Sequence, residues 1–223
     1  LRSPLGAISV GADTLLGLEG AAPTVTRSAA RIVRSVKRMV RMIDDVLDFA
    51  RSHLGGGIPA TPTRHDLGDL CRDAIEETSA AWPDRAIRLE ASGDLRGTWD
   101  GERMVQALGN LLANAIAHGA DPIVVRAWES DDGKFVHASV TNHGPPIPAD
   151  LLPHIFDPFR RGKSHGSSGV GLGLYIVQQI ALAHGGTTCE DPPGVREGAA
   201  GKLYLAYLRD PDGNKICAMH RMA

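Results

Sequence analysis

Two asparagines, Asn110 and Asn114, stand four residues apart in the apolar run QALGNLLANAIAH. That spacing places both on one face of a helix. A mid-helix asparagine is a mediocre helix former and costly to bury unpaired, so an aligned pair among leucines and alanines points to a polar guest. Hydrogen bonds from helix to loop are the equal alternative on these residues alone. Glycines at 169, 171 and 173 lead into a second apolar segment in SSGVGLGLYIV. Glycine lets the backbone turn sharply and approach a ligand, and the helix that follows offers unpaired N–H groups to an anion. A phosphate suits both features. Asn142, in VTNHGPPIP, ends a strand ahead of a rigid glycine-proline loop. Its amide offers a donor and an acceptor to the edge of a heterocycle, although a turn-forming asparagine is the commoner use of such a pattern. Between these motifs, IFDPFRRGKSHGSSG sets Phe156 and Phe159 as anchors for the basic residues Arg160, Arg161 and Lys163. They read either as a solvated loop or as a cover over phosphates.

Two common nucleotide folds fit poorly. A dinucleotide fingerprint GxGxxG follows a strand early in a βαβ unit, whereas GxGxG here follows a polar loop late in the chain. The second glycine run also lacks the GKS or GKT of a P-loop.

The elements that must hold these groups are written in the hydrophobic periodicity. Leu5, Ile8, Ala12 and Leu15 recur at three and four residues, and Ile32, Val36, Met39, Ile43, Val46 and Ala50 continue the pattern after GLEGAAPT. Arg31, Arg34, Lys37, Arg38 and Arg41 fall largely off that seam. The pair reads as an antiparallel helical hairpin with a face that a second copy would cover, giving a four-helix bundle. SHLGGGIPATPTRHD reads as a linker or hinge. Beyond it, helices are predicted over 67–80, 102–117 and 175–183, with strands at AIRLEA, PIVVRAWES, KFVHASVTN and KLYLAYL. Such an order predicts an α/β sandwich with helices on one face of a mostly antiparallel sheet. The expected domains are 1–55, the hairpin; 56–65, a linker; 66–210, the α/β domain; and 211–223, an extension.

With 223 residues and a net charge of -2, nothing in the bulk balance calls for a nucleic acid or an acidic membrane. Three cysteines, Cys71, Cys189 and Cys217, form no CxxC and fit a reducing compartment. No signal peptide and no long apolar run is seen, so the piece reads as a cytoplasmic domain. Starting at Leu1 inside a helical pattern, it reads as a fragment.

Taken in order, the motifs resemble those of a two-component sensor histidine kinase core, whose ATP-binding domain is shared with gyrase, the Hsp90 chaperones and the mismatch-repair ATPases. NLLANA is similar to the family's N box, VTNHGPPIP to its first glycine box, IFDPF to its F box and GVGLGL to its second glycine box. LRSPLGAIS resembles the H box without its first two residues, and the likeness runs from Leu1 to about Gly186. The resemblance implies a helical hairpin followed by an ATP-binding α/β sandwich, with ATP and Mg²⁺ as cofactors. It gives Asn114 to Mg²⁺ bridging the phosphates, Asn110 to the polar wall beside it, and Asn142 to the adenine amino group in place of the usual aspartate. Gly144 would admit the base. Gly169, Val170, Gly171, Leu172, Gly173 and Leu174 would line the phosphates beneath a lid from Arg160 to Ser168, with His118, Ile147 and Phe159 completing the pocket. Ser3 matches the position that orients water for the reverse phosphatase reaction, and Pro4 the proline that kinks the first helix.

Several residues depart from the family pattern. Asn142 keeps a carbonyl acceptor but loses a charge, roughly 1.5–3 kcal/mol against about 1 for the neutral bond. The NHGPPIP form resembles a variant among kinases related to bacterial phytochromes. Ala117 stands where many members carry a lysine, which leaves Arg160, Arg161 or Lys163 to face the phosphates. The phospho-accepting histidine should precede Leu1 by two residues, and none of the nine histidines present occupies its place. The implied chemistry is attack of that imidazole on the γ-phosphoryl, then transfer to an aspartate of a response-regulator receiver domain. An upstream sensor domain is expected, and no nucleic acid. A degenerate ATP-binding dimer without kinase activity is the alternative reading. Another ATPase of the superfold is disfavoured, because Asn110 stands where those relatives need a glutamate. YLRDPDGNKICAMHR resembles the end of a glyoxalase-type domain over too few residues for that fold, and no metal is placed there.

Overall fold

The computed structural model describes residues 2–18, 20–129, 131, 136–144, 147, 151, 154–160, 170–184, 187–188, 194–198, 201–209 and 215–221. The chain divides into two units, 1–50 and 51–223.

The first unit is a pair of helices, α1 (Arg2–Leu16) and most of α2 (Pro23–His53). Pro23 opens α2 at a position where a missing N–H costs nothing, and the N–H groups of Val25 and Thr26 turn back to the Ala22 carbonyl at 2.8 and 3.2 Å. Pro4 lies in the first turn of α1, where it is equally tolerated. Leu5 and Ala12 on α1, and Ala29 and Val36 on α2, are buried at seven-residue spacing. A second seven-residue series stays exposed: Ile8 and Leu15 on α1, and Val25, Ile32, Met39 and Val46 on α2. The periodic set of α2 therefore does not form one seam. Val36 lies on an inner line, whereas Ile32, Met39 and Val46 lie on an outer one.

In the second unit three helices cover one face of a sheet. Asp66 caps α3 (Leu67–Ala81) by accepting from the Gly68 and Asp69 N–H groups at 2.8 and 3.3 Å. Asp100 caps α4 (Gly101–His118) in the same manner, from Arg103 N–H at 3.1 Å. Burial pushes the Asp100 carboxyl up most strongly. Donation from the Thr61 and Arg103 amides, followed by the Arg103 guanidinium, outweighs it, so the group sits below the ordinary carboxylate value. The third helix is α5 (Gly173–Ala183).

Leu108, Leu111 and Leu112 of α4 and Ile176, Val177 and Ile180 of α5 are buried, as are Ile123, Val125 and Ala127 of β4 (Ala120–Glu129) and Val136, Ala138 and Val140 of β5 (Val136–His143), the two strands against which α4 packs. Alternate residues of β4 and β5 thus supply the sheet's half of the core. Cys71 of α3 belongs to the same core, where burial pushes its thiol up to about 12 and leaves it unreactive.

Sheet order is β2-β4-β5-β9-β8-β6, with β7 paired to β8. Here β2 is Ile87–Ser92, β6 Thr187–Thr188, β7 Gly194–Gly198, β8 Gly201–Arg209 and β9 Lys215–Arg221. Pairing is mostly antiparallel, with β2 parallel to β4 and β5 parallel to β9. Two expectations need correction. The segment read as linker carries β1 (Thr63–Asp66), which pairs with β3 (Arg96–Trp99), and Ile58 is buried. Two prolines obscured this in the sequence, yet Thr61 N–H also reaches the Asp100 carboxylate at 2.8 Å, so the stretch is folded onto the domain. The second correction concerns the extension, whose strand β9 lies between β5 and β8. An apolar run of four bounded by polar residues, KICAMHR, suits a central strand, a pattern that the glyoxalase-like text concealed.

Candidate nucleotide site

The site is built where α4 ends, α5 begins and β5 stops. Asn110 and Asn114 are half-buried one turn apart on α4. Asn110 Nδ2 donates to the Gly173 carbonyl at 3.4 Å, which ties α4 to the first residue of α5. The Asn114 side chain makes no hydrogen bond to any described residue. Half-buried, its amide can meet a guest or water.

At the end of β5, Asn142 Nδ2 donates to the His143 carbonyl at 3.0 Å, and Oδ1 accepts from no described residue. The side chain lies against Gly119, the C-cap of α4, where a Cβ would overlap the Asn142 amide. Glycine is needed there for close approach. Arg85 holds the same turn, donating Nη2 to the Gly119 carbonyl at 3.1 Å, while its Nε lies 3.0 Å from Asp121 Oδ1. That Nε contact is an ion pair out of line for a hydrogen bond, since Nε is otherwise buried and unsatisfied. Gly119 bears a recognisable mark, a glycine just past the last periodic residue of a helix. Arg85 bears none, because it stands far from the motif in sequence.

The glycine turn has Gly171 at φ 80°, a conformation that favours glycine. Its carbonyl accepts from Phe159 N–H at 2.9 Å, so the IFDPF segment is fastened to the glycine turn. Phe159 itself sits at φ 62° with 53% of its surface exposed. A bulky residue in that region stores strain. Leu172 is buried, and Val170, Gly173, Leu174, Gly144 and Ile147 are half-buried around the site. His118 is exposed at the end of α4. Arg160 lies with Nε 3.5 Å from Asp157 Oδ2, and His154 Nδ1 is 2.8 Å from the same oxygen. Arg161, Lys163 and Gly169 lie outside the described residues. Ser3 is exposed on α1 of the first unit. Among the described residues no group of three or more His, Cys, Asp or Glu could hold a metal ion. No described helix is long and apolar enough to cross a membrane.

Residues 99–205 match the family described as histidine kinase-, DNA gyrase B- and HSP90-like ATPase, and residues 1–55 match the His Kinase A (phospho-acceptor) domain. The chain is similar to a bacteriophytochrome of Pseudomonas aeruginosa, 34% identical over 83% of this chain and 26% of the relative. It is also similar to the probable sensor histidine kinase TcrY of Mycobacterium tuberculosis, 32% identical over 88% of this chain and 42% of the relative. Full-length ShkA, solved in complex with AMPPNP, aligns with a TM-score of 0.61 at 27% identity, over 90% of this chain and 42% of that one. The chain spans between about a quarter and a half of the length of the curated relatives named here. Two family matches in this order, on a helical unit followed by an α/β unit, identify the chain as a histidine-kinase catalytic core, with a phospho-acceptor-type helical domain and an ATPase-type domain.

Proposed function

We propose that this chain binds Mg·ATP at the α4–α5–β5 site and serves as the kinase core of a two-component system. The observation that carries the reading is the pairing of Asn110 with Gly173 while Asn114, one turn on, has no described partner. The N box and the second glycine box thereby flank one place, as a triphosphate requires. Asn142 would meet the adenine with Oδ1, and Gly171 and Gly173 would offer main-chain N–H groups to the phosphates. Gly144, Ile147, Phe159, Val170, Leu172, Leu174 and His118 would complete the pocket, with Arg160, Arg161, Lys163 and Gly169 in the cover above it. Mg²⁺ would take the Asn114 amide oxygen together with phosphate oxygens, and would supply charge neutralisation. The amide suits such a hard cation.

The acceptor histidine is read as standing two residues before Leu1, with the phosphoryl group passing to a receiver aspartate. Ser3 would orient water for the reverse reaction. The exposed series Ile8, Leu15, Val25, Ile32, Met39 and Val46 supports dimerisation through the helical unit. Arg27, Arg31, Arg34, Arg38 and Arg41, exposed at alternating four- and three-residue spacing on α2, support an acidic partner such as a receiver domain. The test compares this chain with a version extended upstream, each incubated with Mg²⁺ and γ-labelled ATP. Acid-labile, alkali-stable label on the extended protein is expected. Nucleotide binding without label on either would favour the degenerate signalling module instead.

A further inference from the structure

Hydrogen bonds join α4 and α5 at both ends of the pair. At the nucleotide end, Asn110 Nδ2 reaches the Gly173 carbonyl at 3.4 Å, the long limit of such a bond. At the far end, the main-chain N–H of Asp100, the cap of α4, donates to Nε2 of His184, the residue that closes α5, at 3.0 Å. Nδ1 of the same ring lies 2.8 Å from the Ile180 carbonyl oxygen. A carbonyl only accepts, so Nδ1 carries the hydrogen. A main-chain amide only donates, so Nε2 carries the lone pair. The neutral Nδ1–H tautomer alone satisfies both partners.

The two ties lie ten residues apart on α4 and eleven apart on α5, in antiparallel order, about 15 Å along each helix. Between them both helices bury apolar side chains, Leu108 on one and Ile176 and Ile180 on the other. Apolar contact is non-directional and does not by itself fix how far one helix slides along the other. A directional bond does. The node that His184 grips is itself held, since the Asp100 carboxylate accepts from Thr61 and Arg103 amides at 2.8 and 3.1 Å, and its carbonyl from Met104 at 2.9 Å.

We propose that His184 is a positioning residue for the nucleotide site: its ring sets the axial register of α5 against α4, and so the distance of the glycine turn from Asn110 and Asn114. This rests on the Mg·ATP reading above. A purely local role, capping α5 through the Ile180 carbonyl, is the competitor, and the two ring nitrogens separate them. In His184→Asn a side-chain amide nitrogen takes the Nδ1 place and keeps the local cap. In His184→Gln an amide oxygen extends to the Nε2 place and keeps the acceptor for Asp100.

The experiment is calorimetric titration of the whole chain and these variants with Mg·ATP, with thermal melts alongside. Losing this half-buried acceptor is expected to weaken binding about five- to tenfold in His184→Leu. His184→Gln should recover to within about twofold of the parent while His184→Asn stays weak. Equal affinities for the Gln and Asn variants would overturn the proposal, as would a folded His184→Leu chain that binds like the parent. Should His184→Leu fail to fold, the Gln and Asn pair decides the matter. A parent chain that does not bind Mg·ATP would strike down the nucleotide reading and this inference together, whereas a binding parent with equal variants strikes down this inference alone.

Discussion

The two units handle their apolar residues in opposite ways. In the α/β unit the large side chains of α4 and α5 are spent inward, and Leu108, Leu112, Ile176 and Ile180 are each no more than 1% exposed. In the helical unit only a thin line is buried, and Ile8, Ile32 and Met39 remain 48%, 39% and 37% exposed. A helix pair has one inner line, and a second apolar line on each helix has no place within the pair. The α/β unit has the design of a closed fold carrying a site, while the helical unit has the design of half an interface.

That contrast is sharpest where substitutions act on one unit and spare the other. Leu112→Ala should destabilise the α/β unit by about 3 kcal/mol, because a cavity is left in a core that cannot collapse around it. Scanning calorimetry checks it. Equal loss in the oligomerisation of the helical unit would blur the distinction between the two. Asn114→Ala leaves the fold intact and is expected to weaken Mg·ATP binding about a hundredfold, since a charge-assisted contact is removed from a half-buried position. Titration calorimetry reads this, and unchanged affinity would remove Asn114 from the site.

The complementary change, Ile32→Glu with Met39→Glu, touches only exposed positions of α2. Each side chain forfeits about 2 kcal/mol of burial in an assembled bundle. Light scattering should show a monomer that still binds Mg·ATP. A dimer that survives both charges would place the interface elsewhere.

How legible each unit was in the sequence follows the same contrast. In the α/β unit the helices and the strands β2, β4, β5 and β8 were readable because one-sided burial imprints a period. Asn110 and Asn114 stand out as polar residues against that period, and Asn142 as the end of a strand ahead of a glycine-proline loop. Strands β1 and β3 were missed, since four residues pairing at an edge leave almost no periodic trace. Arg85 and His184 were missed as supports because what they hold, the Gly119 carbonyl and the Asp100 amide, is main chain, and main-chain partners have no signature in residue type. In the helical unit the period of α2 is legible, but it divides between a buried line through Val36 and an exposed one through Ile32, Met39 and Val46. Heptad spacing by itself does not tell an inner seam from an outer one; burial does.

The smallest effect lies on the helical unit and concerns Asp45. Burial, and next the Asp48 carboxylate, push its pKa from the ordinary 3.8 up to about 6, with Arg41 opposing. A carboxyl whose folded value exceeds its unfolded one binds its proton more tightly when folded. Its contribution is therefore favourable in the protonated state and is withdrawn as pH rises from about 4 to about 6, leaving a penalty above that range. Asp45→Asn has no charge to bury. Its melting temperature should exceed the parent's at pH 7.5, and the two should converge at pH 4, where the parent carries the proton as well. A difference that is the same at both pH values would mean that Asp45 is held by packing rather than by its charge. The outer line of α2 sharpens the comparison with the α/β unit only if its ionised neighbours behave as half-buried groups do, and the convergence on acidification is the sign that they do.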